Sequence, residues 1–149
     1  MYSRILFYCL CLLLESIISY NPASNWRNEY AFAAVRNDAT AYTWGYAYYG
    51  ASTEFNQNPP SNVRLVTSTS YAFAFMSSDG SVRFTGSSSY GGEYPTFDTL
   101  ESITYIASTD FAFAALSSSG KVVSWQYSYS SLDNNLNGIQ SGVTKIFSN

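Results

Sequence analysis

Residues 71–86 read YAFAFMSSDGSVRFTG: aromatic and alanine alternate, and the alternation ends on a Ser-Ser-Asp-Gly turn. Two other stretches repeat the phrase, YAFAAVRNDATAYTW at 30–44 and FAFAALSSSGKVVSW at 111–125. Their starts lie 41 and 40 residues apart. Phe32, Phe73 and Phe113 coincide, as do Asp38, Asp79 and Ser119. Trp44 and Trp125 fall level with Thr85, and Tyr49 with Tyr90. A second signature precedes the phrase, NVRLVTST from Asn62 and SITYIAST from Ser102, and returns as GVTKIFSN at 142–149. Val63, Ile103 and Val143 align once one residue is inserted in the first linker. Several independent positions recurring at one period mark a repeat architecture.

Each unit reads as short strands. Val63–Thr67 is apolar and β-branched, a strand composition. Tyr71–Met76 alternates with period two, which a helix does not do. Asp79-Gly80 and Ser119-Gly120 are hairpin turns, since residues that tolerate positive φ close two strands tightly. Val82–Thr85 and Val122–Trp125 return. In the first unit the turn reads Asp38-Ala39, and alanine is poorly suited to positive φ, so this turn is of another type or strained. A connection of about fifteen residues rich in Ser, Tyr and Gly then leads to the next unit. On the central strand Tyr71, Phe73 and Phe75 face one way and Ala72, Ala74 and Met76 the other. Both faces are apolar, so both are expected to be covered. A large face on one sheet against a small face on the next interdigitates at close-packed density.

The pattern V-x-x-I-x-S-x-x-x-A-F-A-A-L-x-x-D-G-x-V-x-x-W-G resembles the repeat of the regulator of chromosome condensation superfamily, in the style of β-lactamase-inhibitor protein II propellers. It is carried here by GVTKIFSN, FAFAALSSSGKVVSW and YTWG, with YYG and SYGG further on, and it covers residues 26–149. The resemblance implies an all-β fold of antiparallel β-propeller-type repeats that acts as a protein-binding platform. Members are usually seven-bladed, whereas about three blades are present here, with units near 30–70, 71–110 and 111–149. An open or partial propeller is therefore expected, either a fragment of a longer repeat protein or a chain that self-associates through open sheet edges. The chain departs from the pattern at Thr85, where tryptophan is usual, at Gln126, where glycine is usual, and in lacking the histidine common beside the A-L strand.

Composition narrows the function. The 149 residues allow one domain with a real core. Aromatics make up 18% and charged residues only 11%, the reverse of a disordered chain. A net charge of −3 and seven scattered basic residues argue against nucleic acid as a partner. There is no histidine, which removes the commonest general base, the Ser-His nucleophile pair and most zinc sites. Cys9 and Cys11 have no cysteine partner in the body of the chain, so no disulfide framework and no Cys-ligated metal is expected. No cofactor is expected either. Residues 1–20 place Arg4 before an apolar run from Ile5 to Leu14, the pattern of a signal peptide. Glu15 interrupts the run well short of the roughly 20 residues of a stable membrane span. The expectation is a secreted or extracytoplasmic protein, with a cytoplasmic one as the alternative.

Tyrosines crowd the loops: Tyr46, Tyr48 and Tyr49; Tyr90 and Tyr94; Tyr127 and Tyr129. Tyrosine and serine together favour binding surfaces, although single tyrosines also simply cover blade ends. Glu29 and Asp110 are repeat-equivalent, each just before the aromatic-alanine strand, and suggest loop capping or an acidic rim. Asp38 and Asp79 are accounted for by turn chemistry. Trp26, Trp44 and Trp125 read as packing residues. The expected function is a non-enzymatic protein-binding or scaffold module. The alternative is a secreted carbohydrate-binding or carbohydrate-active protein using the loop tyrosines with carboxylates such as Glu29, Glu93 and Asp110.

Overall fold

A computed structural model describes residues 28–93, 102–126 and 141–148. The expected leader, both cysteines and Trp26 lie outside these residues. The strands are β1 (Ala31–Val35), β2 (Ala41–Gly45), β3 (Val63–Ser68), β4 (Ala72–Ser77), β5 (Val82–Gly86), β6 (Ile103–Ser108), β7 (Ala112–Ser117) and β8 (Val122–Gln126). They form three antiparallel sheets in sequence order, β1-β2, β3-β4-β5 and β6-β7-β8. The second and third sheets share one register, Val66↔Phe75 in one and Ile106↔Ala115 in the other, each with an irregularity two strand positions earlier. Stacked face to face, these sheets are successive blades of a partial β-propeller. Each complete blade begins at Val63 or Ile103, ahead of the aromatic phrase, so sheet and phrase differ in phase.

The alternation explains the stacking. Phe73 and Phe75 are buried against the first blade, in a cluster with Ala31, Ala41 and Val63. The opposite face of the same strand, Ala72, Ala74 and Met76, is buried against Phe113, Ala115 and Trp125 of the third blade. Strand β4 is buried along its whole length, as an apolar pattern on both faces requires. Each phenylalanine so buried contributes about 1.5–3 kcal/mol. A buried hydroxyl pair, Thr67 Oγ1 and Ser108 Oγ at 2.7 Å, also joins the second and third blades.

The departure at Thr85 has a local solution. Trp125 Nε1 donates to the Gly91 carbonyl at 3.3 Å, and Thr85 Oγ1 donates to the equivalent Gly50 carbonyl at 3.2 Å. Phe55, on a short helix α1 (Thr53–Gln57), is buried 4.8 Å from Phe75. Ser52 caps that helix by accepting from Phe55 N–H at 3.1 Å. The sequence reading treated this segment as loop, because one helical turn carries too little periodicity to be seen.

Trp44 corrects another expectation. Far from being packed, it is 52% exposed and stacks on Phe32, itself 61% exposed, at 5.5 Å. No described residue covers that face of the first blade as Ala72 and Ala74 cover Trp125.

Candidate functional site

The loop tyrosines are placed by the repeat itself. Tyr49 and Tyr90 each end a short 3-10 turn, Ala47–Tyr49 and Ser88–Tyr90, closed by a left-handed glycine. Asn28 Nδ2 donates to the Tyr49 carbonyl at 2.7 Å, and the repeat-equivalent Thr69 Oγ1 donates to the Tyr90 carbonyl at 3.0 Å. Each staple ties a blade-end turn back to the residue two places before the blade's aromatic-alanine phrase.

Held this way, the rings form a continuous ladder along one end of the blades. Tyr30 meets Tyr49 edge-on at 4.8 Å, and Tyr49 stacks on Tyr71 at 4.5 Å. Tyr71 meets Tyr90 at 4.0 Å, and Tyr90 meets Phe111 at 5.6 Å. Tyr46 and Tyr48 lean edge-on against Tyr49 from the side. Tyr49, Tyr71 and Tyr90 are half-buried, while Tyr30, Tyr46, Tyr48 and Phe111 are all more than half exposed. Half-buried rungs therefore support exposed rings.

Burial raises the phenols of Tyr49 and Tyr90 above their ordinary value. Tyr71 is raised first by its hydroxyl contact with Tyr49 and then by burial. Nearby Glu29 adds to all three shifts, since a second negative charge beside a carboxylate is unfavourable. Tyr49, Tyr71 and Tyr90 are therefore neutral phenols at physiological pH.

The two acidic residues frame the ladder differently. The backbone N–H of Glu29 donates to the Ser70 carbonyl at 3.2 Å, and the N–H of Ser70 donates to the Asp110 carbonyl at 3.0 Å. Positions 29, 70 and 110 are repeat equivalents, so this is a backbone chain running from blade to blade. The Asp110 carboxylate also accepts from Ser70 Oγ at 3.0 Å, joining two repeat units. Glu29 is exposed. Asp38 and Asp79 accept from the backbone N–H groups of Thr40 and Ser81 in their hairpins, as turn chemistry requires.

Of the tyrosines singled out in the sequence, Tyr46, Tyr48, Tyr49 and Tyr90 come together. Tyr94, Tyr127 and Tyr129 lie outside the described residues. The sequence reading missed Tyr30, Tyr71 and Phe111, taking the first aromatic of each phrase as blade packing. All three precede their strands at the blade end, Tyr30 and Phe111 exposed and Tyr71 half-buried between its neighbours. A signal was present: this position is aromatic in every copy and flanks the acidic position. Among the described residues no group of three His, Cys, Asp or Glu side chains could hold a metal, and no helix is long and apolar enough to cross a membrane.

No protein-family model matches the sequence, and no curated protein matches it. Among solved structures the chain is similar to Prp20p from Saccharomyces cerevisiae, described together with its binding properties to Gsp1p and histones. The two share 14% identity with a TM-score of 0.47, and the match covers 66% of this chain and 29% of Prp20p. The chain thus spans well under half the length of that protein.

Proposed function

We propose that this chain is a non-enzymatic protein-binding module built from repeats of the chromosome-condensation-regulator type, with the aromatic ladder as its contact surface. One observation carries the reading: four exposed rings stand together on half-buried rungs that span three blades. Scattered exposed aromatics need no explanation, but a contiguous patch does. Tyrosine offers a large amphipathic contact at low entropic cost and is enriched where binding energy concentrates. Glu29 at the edge of the patch favours a partner with basic or amide groups facing it.

The test compares the intact chain with a Tyr30→Ala/Tyr46→Ala/Tyr48→Ala variant as baits in an extract of the source organism. A protein retained by the first and lost by the second supports the reading. Retention of the same proteins by both baits refutes the ladder as the surface. A glycan array probed with the same pair discriminates the carbohydrate alternative, which would show glycan binding that the variant loses. Export is part of the proposal and rests on the pattern of residues 1–20. Sequencing the mature N-terminus is expected to find a start near residue 20, and a start at Met1 would return the protein to the cytoplasm.

A further inference from the structure

The two end faces of the blade stack are halves of an interface that the chain already makes internally. The third blade packs on the second through Phe113, Ala115 and Trp125, set against Ala72, Ala74 and Met76. The equivalents of the first set are Phe32, Ala34 and Trp44, identical residue for residue, and all three are exposed. The equivalents of the second set are Ala112, Ala114 and Leu116 on the third blade, with both alanines only half-buried. One end of the stack therefore carries the aromatic half of the contact and the other end carries the alanine half.

The backbone repeats the same complementarity. Among the described residues β1 pairs only with β2, although its equivalents β4 and β7 are central strands of three. In the second and third blades the further partner is a first strand of the V-x-x-I kind, β3 or β6. Residues 143–148 have that pattern and begin as a first strand begins: Val143 N–H donates to the Gly120 carbonyl of the preceding hairpin at 3.0 Å, as Val63 N–H donates to Ala39 at 2.9 Å. Yet these residues lie in no sheet, and Phe147 is 88% exposed, where its equivalents Thr67 and Ala107 are each 5% exposed. A cavity of about 410 Å³ opens between Ile146 and Phe147 on one side and Leu116 and Tyr105 on the other.

We infer that two copies of this chain associate head to tail. Residues 143–148 of each copy pair with β1 of the other, and Phe32 and Trp44 of each pack on Ala112 and Ala114 of the other. The register found in the second and third blades sets Ile146 opposite Ala34 of the second copy. A head-to-tail contact closes into a ring or runs on as a filament. Propellers hold about four to eight blades, so two copies of three blades close within that range and three copies do not. Counted on the three described blades, the contact closes as a dimer with two identical interfaces.

The test is the solution mass of the full chain by light scattering, read beside the mass of the denatured chain. The expected mass is twice that of the 16.5 kDa chain, and Phe32→Asp/Trp44→Asp is expected to reduce it to one chain with an unchanged strand spectrum in circular dichroism. Both residues are more than half exposed within one chain, so the substitution removes the contact and not the fold. A second measurement introduces Ala34→Cys and Ile146→Cys into a chain whose Cys9 and Cys11 are replaced by serine. Oxidation is expected to yield a covalent dimer on a non-reducing gel. A monomeric native chain, a mass above two copies, a dimer indifferent to Phe32 and Trp44, or a cysteine pair that links only within one chain would each overturn the inference.

Discussion

Tyr49 at the end of the first blade stacks on Tyr71 of the second, their ring centroids 4.5 Å apart and their planes 23° from parallel. On its other side Tyr71 meets Tyr90 at 4.0 Å, so it is the central rung between two blade ends. Tyr71→Ala is expected to lower the melting temperature by on the order of 5 °C, because it removes aromatic pairs on both sides at once. Tyr71→Phe keeps the rings together and is expected to lose much less. Tyr30→Ala, at the exposed end, is expected to change stability little. Thermal unfolding followed by circular dichroism ranks the three, and an equal response to all of them would mean that the ladder is not a structural unit.

The raised phenols set a direction for alkaline stability. A raised folded value means that the fold favours the neutral phenol of Tyr49, Tyr71 and Tyr90. Their stabilisation is fully present below the unfolded value of about 10 and is lost as pH rises through the higher folded values. Stability is therefore expected to fall above about pH 10, with a fraction of the tyrosines ionising late in an absorbance titration. Tyr49→Phe/Tyr90→Phe should shrink both effects; an unchanged late fraction would sink the assignment.

The hairpin turns predict opposite outcomes for opposite substitutions. Ala39 holds φ 60° where the other units have Gly80 at φ 82° and Gly120 at φ 77°. Ala39→Gly relieves a left-handed alanine and is expected to stabilise by roughly 0.5–1 kcal/mol. Gly120→Ala adds the same strain, and its Cβ would lie 2.7 Å from the Gly142 nitrogen. It is expected to destabilise by about 1–3 kcal/mol. Urea unfolding measures both, and destabilisation by Ala39→Gly would contradict the account.

The Thr67–Ser108 hydroxyl pair tests the contact between blades. Thr67→Val or Ser108→Ala alone leaves one buried hydroxyl without its partner and is expected to cost about 1–3 kcal/mol. The double variant should cost less than the sum of the two, since neither hydroxyl is then stranded. Strict additivity in this double-mutant cycle would show that the pair contributes no coupling across the blades.

Much of the fold was legible because strand alternation and turn chemistry are local. The period-two run at Tyr71–Met76 became β4, shifted by one residue, and the Asp-Gly and Ser-Gly turns fell where expected. The large and small faces of β4 pack against different blades, as their alternation required. Two things were not legible. The one-turn helix that buries Phe55 against Phe75 is too short to carry a helical period, so only the fold reveals it. The place of Tyr30, Tyr71 and Phe111 in the ladder and not on a strand depends on where each strand begins, and period-two alternation does not mark that boundary.

YAFAFMSSDGSVRFTG, with its two copies, was therefore sufficient to specify strand, turn and blade, because each depends on residues a few places apart. The ladder was not contained in any one copy. Tyr49, Tyr71, Tyr90 and Phe111 become neighbours only when successive blades stack, since their contacts join residues some twenty positions apart through faces that alanine and phenylalanine bring together. The exposure of Phe32 and Trp44 is of the same kind. Identical residues are buried in one blade and open in another, because burial belongs to the neighbouring sheet and not to the sequence that carries the side chain.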